Sequence, residues 1–142
     1  MKEQLKSAIR KSGILNLTHT LWRNRLTVLA WHRVTDPHAE GFDTYRPNVS
    51  ATVEGFAQQV DWLRKEFDVI AMDDLLLWLD GKGPLPSRPA LVTFDDGYED
   101  NLTNALPVLK EQSVPATLFA TSGFVDTGAP FFWDRAACLF AK

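Results

Sequence analysis

A single cysteine, three histidines and no long apolar run mark what this 142-residue chain does without. Cys138 has no partner for an internal disulfide, so nothing about the fold depends on an oxidising compartment. The histidines are His19, His32 and His38, and none follows His38 before residue 142. The longest early apolar run is Ile14-Leu15, broken by Asn16. That is too short for a signal-peptide core or for the roughly 20 residues of a membrane-spanning helix, and the chain is expected to be cytoplasmic. Positive charge is not in excess either. Fifteen basic residues against eighteen acidic ones give a net charge of -3, which offers a phosphate backbone no broad attraction and removes nucleic acid as an expected partner.

What is present describes one ordinary globular domain, with 45% hydrophobic and 23% charged residues and no internal repeat or low-complexity tract. Residues 1–25 carry Lys2, Lys6, Arg10, Lys11, Arg23 and Arg25 against Glu3 alone. With loose helical spacing in Leu5, Ile9, Leu15 and Leu17, they read as a helical appendage with a solvated basic face, capable in principle of touching an anionic membrane surface.

From residue 26 the pattern alternates. Leu26–Trp31 is a short apolar run of the kind expected for a strand buried on both faces, with His32-Arg33 at its end. Val34 to about Ala51 holds Asp36-Pro37, Gly41 and Arg46-Pro47 without periodicity, which predicts a long surface loop. Thr52 is placed to cap a helix whose apolar face is Val53, Phe56, Val60, Leu63 and Phe67. Asp68–Met72 predicts a strand, and Asp73 a cap for a short helix from Asp74 to Leu79 that Gly81 ends. Pro89–Phe94 predicts a third strand, followed by a helix from about Glu99 to Gln112 that Pro107 should kink. Pro115–Thr121 predicts a fourth strand, and the last apolar stretch, Phe131 to Phe140, an element meant for burial. This rhythm is that of an α/β fold with a parallel sheet, either open or part of a β/α barrel, whose chemistry lies at the C-terminal strand ends.

One such end is Thr93-Phe94-Asp95-Asp96-Gly97-Tyr98. Side chains alternate along a strand, so two adjacent aspartates can share a pocket only where the strand yields to a turn, and Gly97 offers that break. Close carboxylates repel unless a cation intervenes; a divalent metal bound by one would leave the other as a base. The competing reading is that Asp95-Asp96 merely opens a βα turn.

The wider stretch decides how to weigh these. Thr93–Tyr98, followed by Asp100-Asn101, Pro107–Lys110 and Val114–Phe119, resembles the first catalytic motif of the polysaccharide deacetylases, the NodB-homology or carbohydrate esterase family 4 proteins. Ala30-Trp31-His32-Arg33-Val34 is similar to an early histidine segment in one branch of that family. The resemblance implies a distorted, partial β/α barrel over residues 26–142 with about four strands present. It also implies a metal-dependent hydrolase that removes N-acetyl or O-acetyl groups from a polysaccharide or glycan substrate. It gives Asp95 the role of general base, Asp96 that of metal ligand and His32 that of acid to the leaving amine. The metal would be divalent, zinc foremost, with nickel, cobalt or iron as alternatives. Tyr98, Trp133 and Asp134 become candidates for substrate contact, with a backbone N–H near Tyr98 facing the oxyanion.

The chain departs from that family in having no His-Ser/Thr-x-x-His to supply further metal ligands. Catalytic metals usually take about three protein ligands. The expectation is therefore the N-terminal part of a longer deacetylase, from a frameshift or an incomplete gene, inactive by itself. The reading from a different class is a non-catalytic carbohydrate-binding module using Trp31, Trp133 and the 34–51 loop, with Trp22, Trp62 and Trp78 packing helices and His19 and His38 solvated. An aspartate-nucleophile phosphatase would need Asp-x-Asp, and a glycosidase would need carboxylates on separate strands about 5 to 9 Å apart. Adjacent Asp95 and Asp96 match neither.

Overall fold

The computed structural model describes residues 25–125 and 127–140. The helical appendage expected over 1–25, with His19 and Trp22, therefore lies outside the described residues except for Arg25.

Strand β5 (Pro89–Asp96) is the spine of a four-stranded sheet in which every pairing is parallel. Strand β1 (Thr27–Trp31) runs beside it with Thr27 opposite Ala90 and Trp31 opposite Phe94. Strand β4 (Asp68–Val69) pairs with the start of β5 at Pro89 and Ala90, and β6 (Thr117–Ala120) with its end, Thr93 to Asp96. The α/β architecture is as the alternating pattern predicts, and the sheet does not close into a barrel. Among the described strands of this sheet, only β5 is covered on both faces. In β1 alternate residues are exposed, Val28 at 56%, so the expectation of a strand buried on both sides is corrected to one buried side.

Helix α1 (Val53–Glu66) begins where Thr52 Oγ1 accepts the Gly55 amide at 3.1 Å. Its period of 3.6 brings Phe56, Val60 and Leu63 to full burial, while Val53 at the first turn remains outside. These side chains meet Trp31, Val92 and Phe94 in the core, which Val108, Leu109 and Val114 complete. Phe56 packs edge-on against Trp31, centroids 5.6 Å apart, and against Phe94 at 5.7 Å. Truncating Phe56 to Ala is expected to cost about 3–5 kcal/mol, read as a lower urea midpoint at unchanged slope.

The expected long loop is not structureless. Arg33–Val34 (β2) and Val49–Ala51 (β3) pair in parallel, and Arg46–Asn48 form one 3-10 turn between them. Strand β4 stops at Val69, because helix α2 (Met72–Leu79) begins earlier than predicted. The capping residue is Asp74, not Asp73: its carboxylate reaches back to the Ala71 amide at 2.9 Å. Nothing in α2 is buried.

The helix expected from Glu99 is a π-turn over Asn101–Ala105, with Leu106 N–H bonded to Asn101 C=O, leading into α3 (Leu106–Gln112). Pro107 supplies the reason. Its ring clashes with the carbonyl four residues back in a regular helix, and a wider turn ahead of it relieves that contact. The kink is thus realised as a π-turn. Helix α4 (Phe132–Phe140) buries Asp134 but exposes Phe132, Leu139 and Phe140.

Candidate functional site

Strand β5 runs two residues further than its apolar run, because β6 pairs with it as far as Asp95 opposite Phe119 and Asp96 opposite Ala120. Both carboxylates therefore belong to a paired strand. The break begins at Asp96 itself, not at Gly97: Asp96 has φ 73°, and the Gly97 amide donates back to the Asp95 carbonyl at 2.9 Å, closing a three-residue turn. A non-glycine residue held there stores backbone strain of order 1–3 kcal/mol, a cost that concentrates at functional sites.

Gly97 continues the turn at φ 85°, and a Cβ there would stand 3.3 Å from Ala120 Cβ. Gly97→Ala is expected to destabilise the fold by about 1–2 kcal/mol for the left-handed backbone alone, measured as a lower urea midpoint. A midpoint equal to that of the parent would contradict it.

Asp96 stands between two openings. On one side it lines a cleft of about 380 Å³ with His32, Tyr45, Asn48, Phe132 and Trp133. On the other it borders a cavity of about 450 Å³ with Gly97, Thr121, Phe124 and Phe131. Burial pushes the Asp96 carboxyl above its ordinary range; His32 opposes the rise, and Asp95 and Asp134 add to it. Thus Asp96 is acted on by both Asp95 and His32 and shares a cleft with His32, the two strand ends being neighbours.

The other three candidates form a bonded set. The Tyr98 hydroxyl donates to Asp134 Oδ2 and accepts from Trp133 Nε1, both at 2.7 Å. The Tyr45 amide donates to Asp134 Oδ1 at 2.9 Å. Asp134 is buried, and both its oxygens are engaged by protein. Burial pushes the Tyr98 phenol up to about 12, with the Trp133 bond opposing the rise and Asp134 adding to it.

With Tyr45→Phe leaving Tyr98 as the sole reporter among the two tyrosines, phenolate absorbance is expected to appear near pH 12 in the folded protein. The unfolded phenol titrates near 10, so this contribution to stability is complete below about pH 10 and is lost as pH rises toward 12. A folded-state midpoint near the unfolded value would contradict the bonded arrangement.

Arg33 is a residue that sequence reading passed over. Its Nε pairs with Asp100 Oδ2 at 2.7 Å, its Nη1 bonds Thr44 Oγ1, and its guanidinium lies 4.6 Å from the Tyr98 ring centre. Asp100 stands within the motif, and nothing in its spacing announces Arg33 as its partner. Trp31 is also corrected: it is 6% exposed in the core, its Nε1 donating to Gln59 at 2.9 Å, and it offers no face to a sugar. Trp62 and Trp78, expected as helix packing, are about half exposed, and His38 is exposed as expected.

The profile of the polysaccharide deacetylase family matches residues 82–137. Over 107 residues, 75% of this chain, the sequence is 28% identical to a poly-beta-1,6-N-acetyl-D-glucosamine N-deacetylase of Escherichia coli (strain K12), of which it covers 15%. The fold matches a de-N-acetylase from Aggregatibacter actinomycetemcomitans with TM-score 0.64 and 26% identity, over 75% of this chain and 43% of that one. It matches IcaB from Ammonifex degensii with TM-score 0.61 and 31% identity, over 75% of this chain and 42% of that one.

The chain is similar to the polysaccharide deacetylase family through residues 82–137. It spans less than half the length of these relatives and carries part of the family's domain. Two of these relatives are named as N-deacetylases, and the family is typically metal-dependent. Among the described residues, however, no group of three or more His, Cys, Asp and Glu side chains converges as a metal site. Asp96 alone is too few donors for a catalytic metal, so these residues do not fit one by themselves. Also among the described residues, no helix is long and apolar enough to cross a membrane.

Proposed function

We propose that this segment carries the acid and base side chains of an N-deacetylase acting on an acetylated glycan built of N-acetylglucosamine units, with O-acetyl removal as the alternative. The observation that carries the reading is the cleft in which His32 and Asp96 stand beside the aromatic side chains of Tyr45, Phe132 and Trp133. Aromatic faces suit the C–H faces of a sugar ring, and a histidine beside a strand-end carboxylate suits proton transfer.

In this reading Asp95 takes a proton from the attacking water and His32 gives one to the departing amine. Asp96 is the ligand the segment contributes to a divalent metal, zinc foremost, whose remaining donors are not among the described residues. Tyr98 and Asp134, with their polar atoms spent on each other, on the Tyr45 amide and on Trp133, shape the wall and hold Trp133 instead of grasping substrate. Residues 26–142 are then part of the catalytic domain and residues 1–25 an appendage to it.

The test joins this chain to the remainder of the Aggregatibacter actinomycetemcomitans domain and measures acetate released from N-acetylglucosamine oligomers. Release that depends on Asp95 and Asp96 supports the reading; release unchanged by Asp95→Asn and Asp96→Asn refutes it. The 142-residue chain alone is expected to release none and to hold no zinc stoichiometrically.

The same aromatic wall favours a second reading, a carbohydrate-binding module. Oligomers that shift the Trp133 indole signal of the chain by NMR, without acetate release from the joined protein, would select it.

A further inference from the structure

His32 belongs to neither strand ladder: β1 ends at Trp31 and β2 begins at Arg33. Its backbone groups must find partners elsewhere, and they find side chains. The His32 amide donates to Ser50 Oγ at 3.0 Å, and its carbonyl accepts Asn101 Nδ2 at 2.7 Å. The grip continues along the chain. Asp100 Oδ2 takes Arg33 Nε at 2.7 Å, and Asp100 Oδ1 takes the Val34 amide at 3.2 Å. Asn104 Nδ2 then donates to the Val34 carbonyl at 2.8 Å.

Asp100, Asn101 and Asn104 lie on one face of one helical turn, since residues three and four apart on a helix are neighbours. That turn is the π-turn ahead of Pro107. Buried polar groups generally pair, and pairing alone would account for these bonds. Two details go further. The Asn101 side chain is buried, yet its Oδ1 has no partner. A buried carbonyl left unpaired is destabilising, because it has given up water and gained no partner. Exchanging the amide's oxygen and nitrogen does not help, because an oxygen would then face the His32 carbonyl, acceptor against acceptor. The amide is thus oriented chiefly by the His32 carbonyl at 2.7 Å, with a longer bond to Asp100 Oδ1 at 3.4 Å, and its own carbonyl is left out. Secondly, only Tyr98, Glu99 and Asp100 separate Asn101 from the turn that carries Asp96, so one short segment holds both sides of the cleft in which His32 and Asp96 meet.

We infer that Asn101 is a positioning residue for His32: by holding the His32 carbonyl opposite the Ser50 bond to its amide, it fixes the direction in which the imidazole leaves the backbone. Asp100 and Asn104 hold the next two residues and not His32 itself. What His32 does in the cleft rests on the function proposed above, whereas how it is held does not. Acetate release tests the first and the ring spectrum tests the second, so either can fail alone.

The experiment records the imidazole proton–carbon signals of the full chain, with the His32 signals assigned by their loss in His32→Gln. Asn101→Ala and Asn101→Asp, the latter equal in shape but without the donor, are expected to shift and broaden the His32 ring signals while His38 stays in place. Asn104→Ala is expected to lower the urea midpoint without moving the His32 ring, which separates positioning from general loosening. Ser50→Ala, at an exposed position, frees the other end of His32 and is expected to move the same ring signals even if the Asn101 variants do not fold. Ring signals unmoved in Ser50→Ala and in every folded Asn101 variant overturn the inference, as does an equal shift in Asn104→Ala.

Discussion

Asp100→Ala is expected to leave most of the chain unfolded at room temperature. The carboxylate side chain is 7% exposed and neutralises Arg33, whose side chain is 15% exposed, while also taking the Val34 amide. Removing it strands a nearly buried guanidinium and an amide together, and breaking a buried pair from one side costs about 3–5 kcal/mol. Domains of this size have about 5–15 kcal/mol to lose in total. This one begins with apolar surface uncovered at Leu118, Phe119, Leu139 and Phe140. The aromatic contacts of Arg33 with Tyr98 and Phe42 survive the change but cannot replace the charge. Replacing both partners, with Arg33→Met and Asp100→Leu, should recover part of the loss, because no isolated charge remains. Urea unfolding of the two single variants and the double variant measures the coupling. Equal midpoints for parent and Asp100→Ala would show that solvent reaches the pair far better than its burial indicates.

In the joined protein, Asp95→Asn is expected to lower kcat by about 10²- to 10⁴-fold, the usual contribution of a positioned general base. KM should change little, since the amide preserves shape and the residue lies beside, not within, the aromatic cleft. Asp96→Asn should act differently. It keeps the three-residue turn, because Asn tolerates the left-handed backbone about as well as Asp. It removes the charge that a metal would meet, so zinc content should fall along with the rate. Separate measurement of zinc and of kcat therefore distinguishes the two neighbours. If Asp95→Asn were to empty the metal site while Asp96→Asn spared it, the two roles would be exchanged.

Long-period features were legible in the sequence. Helix α1 could be read from its apolar face, and β5 and β6 from runs that end in turn residues, because burial on a regular element leaves a regular trace. The parts that were missed depend on single side chains crossing the molecule. Nothing local says that Asp74 and not Asp73 reaches back to Ala71, or that Arg33 waits for Asp100. Nor does composition separate Trp31, sealed in the core, from Trp133, on the cleft. The two aspartates could be found by residue type and resemblance. That one of them sits at φ 73° depends on the pairing of β6, supplied by residues more distant in the chain.

The position of β5 also bears on how this chain comes to fold. Each strand of the main sheet pairs with β5 and, in the described residues, with no other. Thr27 must wait for Ala90, and Asp68 for Pro89, before either makes its first sheet bond. During synthesis the earlier described segments consequently leave the ribosome with helix α1 as the one long local structure among them, and the sheet can assemble only once Pro89–Asp96 has emerged. Folding should be late and concerted, and a pause in translation placed before Pro89 should expose the nascent chain to chaperones for longer than one placed after Ala120.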